Sequence, residues 1–408
     1  MALPLPDADA QAHSERLSLK IADQIRQAGG WISFARYMEQ VLYAPGLGYY
    51  SAGSRKFGSA GDFVTAPEMT PLFGRALARQ VAEVMAQSAP EIIEAGAGTG
   101  LLAADLLLAL EALGCAPRSY RIIDLSAELA ERQRATIAAR APHLLDRVEW
   151  LNELPERFSG VLIGNEVLDA MPAHLVAWSG RAGEPAVERG VALTSEIGAG
   201  ATTGANGGAP AFVFADRPLE GALASEVALI EKICKPSAES EGPPANGYQS
   251  EISLANRAWV GELSRRLDVG ALLLFDYGFP RHEYYHPQRS GGTLMCHYRH
   301  HAHGDSFYLP GLQDVTVHVD FTTIAEAAFE QGLSVLGYTT QSHFLLNCGL
   351  LELLAEENDP VRRARAASAV NKLLSPAEMG EFFKVIALGR GIAEPVLGFN
   401  RGDRTHAL

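Results

Sequence analysis

The sequence has little positive charge for its size. Its 408 residues include 34 Lys plus Arg against 48 Asp plus Glu, which gives a formal net charge of −14. Nucleic-acid binding usually depends on clustered positive charge, so we expect no nucleic acid among the partners. An acidic balance is better suited to a small cationic ligand or a basic peptide.

Cysteines, targeting segments and long apolar runs are also scarce. The four cysteines are Cys115, Cys234, Cys296 and Cys348, and no two of them form a CxxC pair. This excludes a disulfide framework and a cysteine zinc site, and it indicates a reducing compartment. Residues 1–10 lack the basic and apolar stretches of a signal peptide. Charge or glycine interrupts the apolar stretches within about ten residues, short of the roughly 18 that span a membrane. We therefore expect a cytoplasmic protein with no membrane span.

What the sequence does contain is an alternation of short apolar runs with helical periodicity. Hydrophobic residues make up 47% of the chain and charged residues 20%, which excludes global disorder. We predict strands at residues 91–95, 120–125, 147–151, 160–165, 271–277, 333–338 and 382–388. Strands that alternate with helices predict an α/β fold, a doubly wound parallel sheet with helices on both faces.

The domain organisation follows from the same pattern. We predict an N-terminal helical cap over residues 1–88 and a core formed by residues 89–172 and 269–390. A Gly-, Ala-, Pro- and Ser-rich insertion at 173–268 separates strands four and five, and residues 391–408 form a C-terminal tail.

A glycine-rich loop follows the first predicted strand, with the sequence Glu94-Ala-Gly96-Ala-Gly98-Thr-Gly100. Two leucines follow Gly100, so the Lys-Ser/Thr of a phosphate loop is missing, and the spacing is not GxGxxG. GxGxG with an acid two residues earlier is typical of S-adenosylmethionine sites in class I methyltransferases. We predict that Glu94 and the three glycines contact this cofactor. A glycine turn without a ligand is the alternative.

The next two strands end in further candidate cofactor contacts. Asp124 lies at the tip of strand two, where a doubly wound fold binds ribose hydroxyls, and a carboxylate can accept from both of them. The alternative is an N-cap for the helix near Ala127, which Ser126 could also supply. Asn152 follows strand three at the position where such folds bind adenine.

Strand four runs into Asn165 and Glu166, with Asp169 three residues later. Ligand chemistry occurs at the carboxyl ends of parallel strands, so we expect Asn165 and Glu166 to face the transferred methyl group. If a short helical turn follows, Glu166 and Asp169 share one face. Two such acids would suit a guanidinium, whose donors match carboxylates in fork geometry. Capping of a short helix is the alternative.

These motifs and several others resemble the MidA-like methyltransferases over about residues 15–390. The shared motifs are Gly61–Glu68 with Phe73-Gly74, Glu94–Gly100, Asp124–Ser126, Asn165–Pro172, Asp276–Gly278, Gly292-Thr293 and Asp314–Phe321. The resemblance implies a class I methyltransferase (Rossmann-like) fold and S-adenosyl-L-methionine as the cofactor. It implies arginine N-methylation in a subunit of respiratory complex I, with a role in complex I assembly, as the activity of the best-known member. The chain departs from the family at Asp124, where we expect Glu, and in the glycine-rich stretch 196–210.

For this fold we predict a seven-stranded sheet in the order 3-2-1-4-5-7-6, with the last strand antiparallel. The loop before the sheet is predicted to close the site, with Thr65 toward the cofactor and Asp62 and Glu68 toward the substrate. An ordinary surface turn is the alternative. Residues 278–320 are predicted to form a long polar loop. Its His297–His303 segment has no cysteine or acid at ligand spacing, so we predict no metal there.

The function that these residues favour is protein-arginine N-methylation. Glu166 is the first choice for the base and Asp169 the second, and Glu251 and Asp276 are further carboxylates for the substrate site. The expected partner is a protein substrate, and a homodimer is compatible with the sequence. A small-molecule methyltransferase is the alternative, since fold does not determine substrate. A non-catalytic S-adenosylmethionine-binding assembly chaperone is a third hypothesis, disfavoured because the acids after strand four are present.

Overall fold

The computed structural model describes residues 3–52, 65–124, 126–179, 181, 184–194, 210–234 and 247–408. Asp62, and the glycine-rich stretch 196–210 except for Pro210, lie outside these residues. The chain divides into two units. The first comprises Met1–Ser54, Ala170–Asn256 and Arg281–His318, and the second comprises Arg55–Asp169, Arg257–Pro280 and Val319–Leu408. The predicted cap at 1–88 is therefore divided between the two units.

The described residues form fourteen α-helices and sixteen strands. The helices are α1 Ala8–Gln27, α2 Phe34–Tyr43, α3 Ala66–Met69, α4 Pro71–Gln87, α5 Leu101–Ala112, α6 Ala127–Arg140, α7 Gly221–Cys234, α8 Leu254–Arg266, α9 Arg281–Tyr284, α10 Phe321–Phe329, α11 Gln341–Asn347, α12 Leu350–Ala355, α13 Pro360–Leu374 and α14 Met379–Phe382. The strands are β1 Ile32–Ser33, β2 Glu91–Ala95, β3 Ser119–Ile123, β4 Val148–Leu151, β5 Phe158–Asn165, β6 His174–Trp178, β7 Val187–Leu193, β8 Phe212–Pro218, β9 Tyr248–Ile252, β10 Leu267–Phe279, β11 Met295–Tyr298, β12 His301–His303, β13 Asp314–Thr316, β14 Val319–Asp320, β15 Ser334–Thr340 and β16 Phe383–Arg390.

The second unit contains a large sheet in the order β4-β3-β2-β5-β10-β16-β15. β16 is antiparallel to both of its neighbours. The predicted order 3-2-1-4-5-7-6 with an antiparallel last strand is therefore confirmed. The sheet has one strand more than the predicted seven, because the two-residue β14 pairs in parallel with the end of β10.

The two middle strands of this sheet are β5 and β10, and they are buried along most of their length. Nearly continuous burial is the pattern of parallel strands that are covered on both faces. Their apolar side chains join those of α4, α5 and the C-terminal helices in one core cluster. The carboxyl ends of β2, β3 and β5 therefore sit on a rigid support.

The first unit has two smaller sheets. One has the order β1-β7-β6-β9, with β8 paired to β7, and the other has the order β12-β11-β13. The prediction of a polar loop over 278–320 is wrong in part, since this segment contributes the three short strands β11 to β13 to the first unit and also contains α9 and the two-residue β14. Cys296 pairs with His303 and Met295 with Thr316. The strands are only three or four residues long, which is too short for their alternation to stand out in the sequence.

The C-terminal region of the second unit is helical between β15 and β16. It contains α11, α12, α13 and α14. Gly349 adopts a left-handed conformation before α12, and the Asp359 side chain caps α13 at the amide of Arg362. Across the described residues, no helix combines the length and apolar character needed to cross a membrane.

Gly270 and Gly160 face each other in the register of β10 and β5. A Cβ atom on Gly270, whose φ is +143°, would lie 1.8 Å from the Gly160 carbonyl oxygen. We expect Gly270→Ala to lower the free energy of unfolding by about 3 kcal/mol, because backbone must move to admit the methyl group. Urea unfolding measures this change in the free energy of unfolding.

Gly261→Ala in α8 is the matched control, since no heavy atom lies within 4 Å of the added Cβ. It should stabilise the helix by about 0.5–1 kcal/mol. Equal unfolding midpoints for the two variants would contradict the close approach of β5 and β10.

Candidate active site

The glycine loop connects the end of β2 to the start of α5. Gly96, Gly98 and Gly100 all have positive φ, at 66°, 51° and 80°. At Gly100 an added Cβ would lie 2.9 Å from the Cα of Gln133, so α6 can approach the loop only because the side chain is absent. At Gly98 an added Cβ would meet nothing within 4 Å. The loop thus leaves open space beside Gly98.

Glu94 is the buried acid that precedes this loop. It is 3% exposed, and the Tyr120 hydroxyl donates to its Oε2 at 2.6 Å. The pKa of Glu94 is raised to about 7, chiefly by burial and also by the charge of Asp124, and the hydrogen bond from Tyr120 partly offsets the rise. Glu94 and Asp124 therefore interact electrostatically at adjacent strand ends.

Asp124 follows β3 and is tied to two neighbours. Its Oδ1 accepts from the Ser126 amide at 3.1 Å, and its Oδ2 accepts from Nε2 of Gln133 at 2.8 Å. Ser126 is the residue that caps α6, through its hydroxyl oxygen and the amide of Leu129. The capping alternative for Asp124 is therefore wrong. A carboxylate has about four acceptor positions, which suits it to hydroxyl groups of a ligand.

At the end of β5, Asn165 and Glu166 begin the turn toward Asp169. Nδ2 of Asn165 donates to Oε1 of Glu166 at 3.2 Å. The Oδ1 atom of Asn165 is buried and has no hydrogen-bond partner among the described residues. Glu166 has a φ of +54°, and its amide donates to the Phe275 carbonyl at 2.9 Å. A non-glycine residue in this region is strained, and such strain clusters at functional sites.

The turn after Glu166 is held by Asp276, on β10. Oδ2 of Asp276 accepts from the amides of Leu168 at 2.9 Å and Asp169 at 3.3 Å, and Oδ1 accepts from the Tyr277 amide at 2.9 Å. The condition of a short helical turn after Glu166 is not met, since no helix lies between β5 and β6. The capping alternative for Glu166 and Asp169 also needs such a helix and is wrong. Asp276 is fully buried, so it acts on the turn, whereas the prediction placed it against substrate.

Asp169 is itself buried, and the Tyr277 hydroxyl donates to its Oδ2 at 2.5 Å. The three acids of this turn, Glu166, Asp169 and Asp276, form what we call the acid cluster. Burial raises the pKa of Glu166 to about 8, and the charge of Asp169 is the next largest cause. Burial, then the charges of Asp169 and Glu166, raise the pKa of Asp276 well above its usual range.

The segment before α4 meets this cluster and the glycine loop. The Thr99 hydroxyl donates to Oε1 of Glu68 at 3.3 Å. The backbone of Ala66 hydrogen-bonds the Glu166 carboxylate, and the charge of Glu68 acts on the same carboxylate. Thr65 is half-buried at the start of α3. Because Ala66 and Pro67 are buried, residues 65–68 are not an ordinary surface turn.

Two predicted site residues have other surroundings. Glu251 belongs to the first unit, where it is 1% exposed and accepts from the amides of Thr293 and Leu294 and from the Thr293 hydroxyl. Its carboxylate orders the Gly292-Thr293 motif. Asn152 is exposed just after β4. In the part of the chain that the structure describes, no three His, Cys, Asp or Glu side chains are grouped to hold a metal ion.

Residues 76–339 match the model of a family described as "Putative S-adenosyl-L-methionine-dependent methyltransferase". The match covers more than half of the 408 residues. The chain belongs to this family. The predicted fold, the methyltransferase class and the cofactor S-adenosylmethionine are thereby confirmed at the level of the family.

Similarity to individual proteins supports this family membership. A Burkholderia thailandensis protein crystallised with S-adenosyl-homocysteine is 50% identical, has a TM-score of 0.89, and is matched over 100% of both chains. Protein arginine methyltransferase NDUFAF7 of Danio rerio is 29% identical over 397 residues, which are 89% of this chain and 85% of that protein. The human NDUFAF7 is 28% identical over 401 residues, 88% of this chain and 80% of that protein. Both arginine methyltransferases are named as mitochondrial, so the cytoplasmic location stays a prediction.

Sequence reasoning missed two residues that organise the site. Gln133 lies in the middle of a helix, and Tyr277 follows Asp276. The sequence position of neither residue indicates a contact with the glycine loop or with Asp169. The Asp276-Tyr277-Gly278 motif was a signal that this strand end matters. It could not show that the aspartate binds backbone amides instead of a ligand.

We expect Gly98→Ala to weaken S-adenosylhomocysteine binding at least about tenfold, because the methyl group occupies the open space beside the loop. Isothermal titration calorimetry measures the affinity. Gly114→Ala is the matched control: Gly114 also has a positive φ and open space around its Cβ, but it lies beyond the far end of α5. Equal affinities in the two variants would place the cofactor elsewhere.

Proposed function

We propose that this protein transfers a methyl group from S-adenosylmethionine to an arginine side chain of a protein substrate. The observation that carries the proposal is the acid cluster at the carboxyl end of β5, with Glu166 half-buried beside the buried Asp169. Acids that crowd together are stabilised by a cation, and a guanidinium offers five donors to carboxylates. The names of the NDUFAF7 relatives support the same acceptor.

The residues of the site fit the cofactor. Asn165 Oδ1 is a buried acceptor without a partner among the described residues, and Gly98 has open space beside it. We propose that Glu94, Asn165 and the glycine loop hold the methionine part of the cofactor. Asp124 holds the ribose and Asn152 lies on the adenine side. Thr65 closes the site. Bound S-adenosylmethionine supplies an electrophilic methyl group on a sulfonium sulfur.

The protein's own residues prepare the acceptor. Glu166 binds the guanidinium through its carboxylate, removes positive charge from the attacking nitrogen and takes its proton. Asp169 stabilises the same cation, and Tyr277 orients Asp169 through its hydrogen bond. Glu68 contributes a further acid on the side of α3. Most of the acceleration comes from holding the nitrogen in line with the methyl group.

The substrate proposal is narrower than the enzyme class and needs its own test. We propose a subunit of respiratory complex I as the methylated protein. Purified protein is incubated with labelled S-adenosylmethionine and the candidate subunit, and the modified residue is located by mass spectrometry. Label on arginine supports the proposal. Label on a small molecule of a cell extract, with none on protein, would overturn it in favour of a small-molecule methyltransferase.

Glu166→Gln and Asp124→Asn should separate catalysis from cofactor binding. Glu166→Gln keeps the shape but cannot take a proton, so we expect turnover to fall by about two to four orders of magnitude with cofactor affinity unchanged. Asp124→Asn should raise KM for S-adenosylmethionine and recover turnover at saturating cofactor. Steady-state kinetics on both variants checks this. Near wild-type turnover in Glu166→Gln would remove it from the role of base.

The pH dependence should follow Glu166. Its pKa of about 8 means that the carboxyl holds its proton at neutral pH and gains charge as the pH rises. We expect kcat/KM for an arginine peptide to rise about tenfold per pH unit below 8 and to level off above it. Asp169→Asn should move the midpoint to lower pH, because it removes the largest charge that raises this pKa. An unchanged midpoint in that variant would contradict the coupling of the two acids.

A further inference from the structure

Gln133, in α6, is a fully buried glutamine that no motif of the sequence singles out. Its Nε2 donates to the Gly98 carbonyl at 3.2 Å and to Asp124 Oδ2 at 2.8 Å. Its Oε1 accepts from Nε1 of Trp150 at 3.0 Å. Both donor hydrogens of the amide and one acceptor position of its oxygen are therefore used.

The partners of Gln133 all belong to the cofactor side of the sheet. Gly98 is the loop glycine with open space beside it, Asp124 is the carboxylate at the end of β3, and Trp150 lies on β4 two residues before Asn152. One side chain thus connects the ends of β2, β3 and β4. A glutamine that only filled space in the core would have no reason to contact three groups of one site.

The packing of α6 keeps this side chain in place. An added Cβ on Gly100 would lie 2.9 Å from the Gln133 Cα and 3.2 Å from its Cβ. The third glycine of the loop therefore lets α6 approach the loop at Gln133. Nε2 of Gln133 then reaches the loop carbonyl and the Asp124 carboxylate at the same time, while Oε1 accepts from Trp150.

We infer that Gln133 is a positioning residue for the ribose of S-adenosylmethionine and acts through Asp124. The Ser126 amide holds Oδ1 of Asp124, and Gln133 holds Oδ2, so the carboxylate has one orientation before the ligand arrives. A carboxylate has about four acceptor positions, so one fixed in this orientation can present its oxygens to the two ribose hydroxyls. Preorganisation of this kind increases affinity because the ligand need not order the side chain. The inference rests on the cofactor site proposed above.

The test compares Gln133→Leu with Gln80→Leu. Gln80 is also fully buried in the second unit, and it links α4 to the Gly398 amide, away from the loop. We expect Gln133→Leu to weaken S-adenosylhomocysteine binding about 10- to 100-fold in calorimetry and to raise KM for the cofactor, with kcat at saturation within about threefold. Gln80→Leu should leave affinity and KM unchanged. Equal losses in both variants would overturn the inference, because the effect would then reflect general destabilisation.

Two further measurements distinguish positioning from packing. An S-adenosylhomocysteine analogue without ribose hydroxyls should bind wild type and Gln133→Leu within about threefold of each other. In a protein that already carries Asp124→Ala, Gln133→Leu should lower the affinity for S-adenosylhomocysteine by less than about threefold, since Gln133 acts through Asp124. If Gln133→Leu still weakened binding by the full 10- to 100-fold in either experiment, the inference would be overturned.

If Gln133→Leu does not fold, Gln133→Glu replaces it at equal size. The introduced carboxylate faces Asp124, so the ratio of the variant's Kd to that of wild type should shrink as the pH falls and the pair takes up a proton. A ratio that does not change with pH would overturn the inference. Failure of wild type to bind S-adenosylhomocysteine would instead overturn the proposed function itself.

Discussion

The site depends on one buried interaction, between the Asp276 carboxylate on β10 and the backbone amides of Leu168 and Asp169. Without these bonds the chain after β5 would have no reason to turn where it does. They hold Glu166 at a φ of +54°, at the open carboxyl end of the sheet. They also bring Asp169 within reach of the Tyr277 hydroxyl. A structural carboxylate therefore builds the site, while the carboxylates it positions remain for chemistry.

The arrangement has an electrostatic consequence. Burial and neighbouring acids raise the pKa of Glu166 from 4.5 to about 8. An acid whose pKa is raised in the folded state favours folding least when it is ionised, so its contribution to stability falls as the pH rises from about 4.5 to about 8. A cation in the cluster removes this penalty, because it favours the charged form. Acids that weaken the folded chain in this way are expected where function requires them.

The sequence predicted the sheet well because its signals are local. Apolar runs located β2, β5 and β10. Glu94, Asp124, Asn165 and Glu166 were predicted as site residues because they lie at or next to the ends of strands. The short strands β11 to β13, the fully structural role of Asp276, and Gln133 were not predicted. Each depends on contacts between segments far apart in the chain, which carry no spacing in the sequence.

The measurement that tests this account most directly is infrared spectroscopy of the carboxyl groups at pH 7, with Glu166→Gln as the reference. The account predicts a protonated carboxyl in the wild type that is missing in the variant, since the pKa of Glu166 is about 8. It further predicts that this signal disappears when S-adenosylhomocysteine and an arginine peptide are added together, because the guanidinium replaces the proton. Identical spectra for wild type and Glu166→Gln, or a signal that persists with the peptide bound, would contradict the assignment of the acid cluster as the guanidinium site.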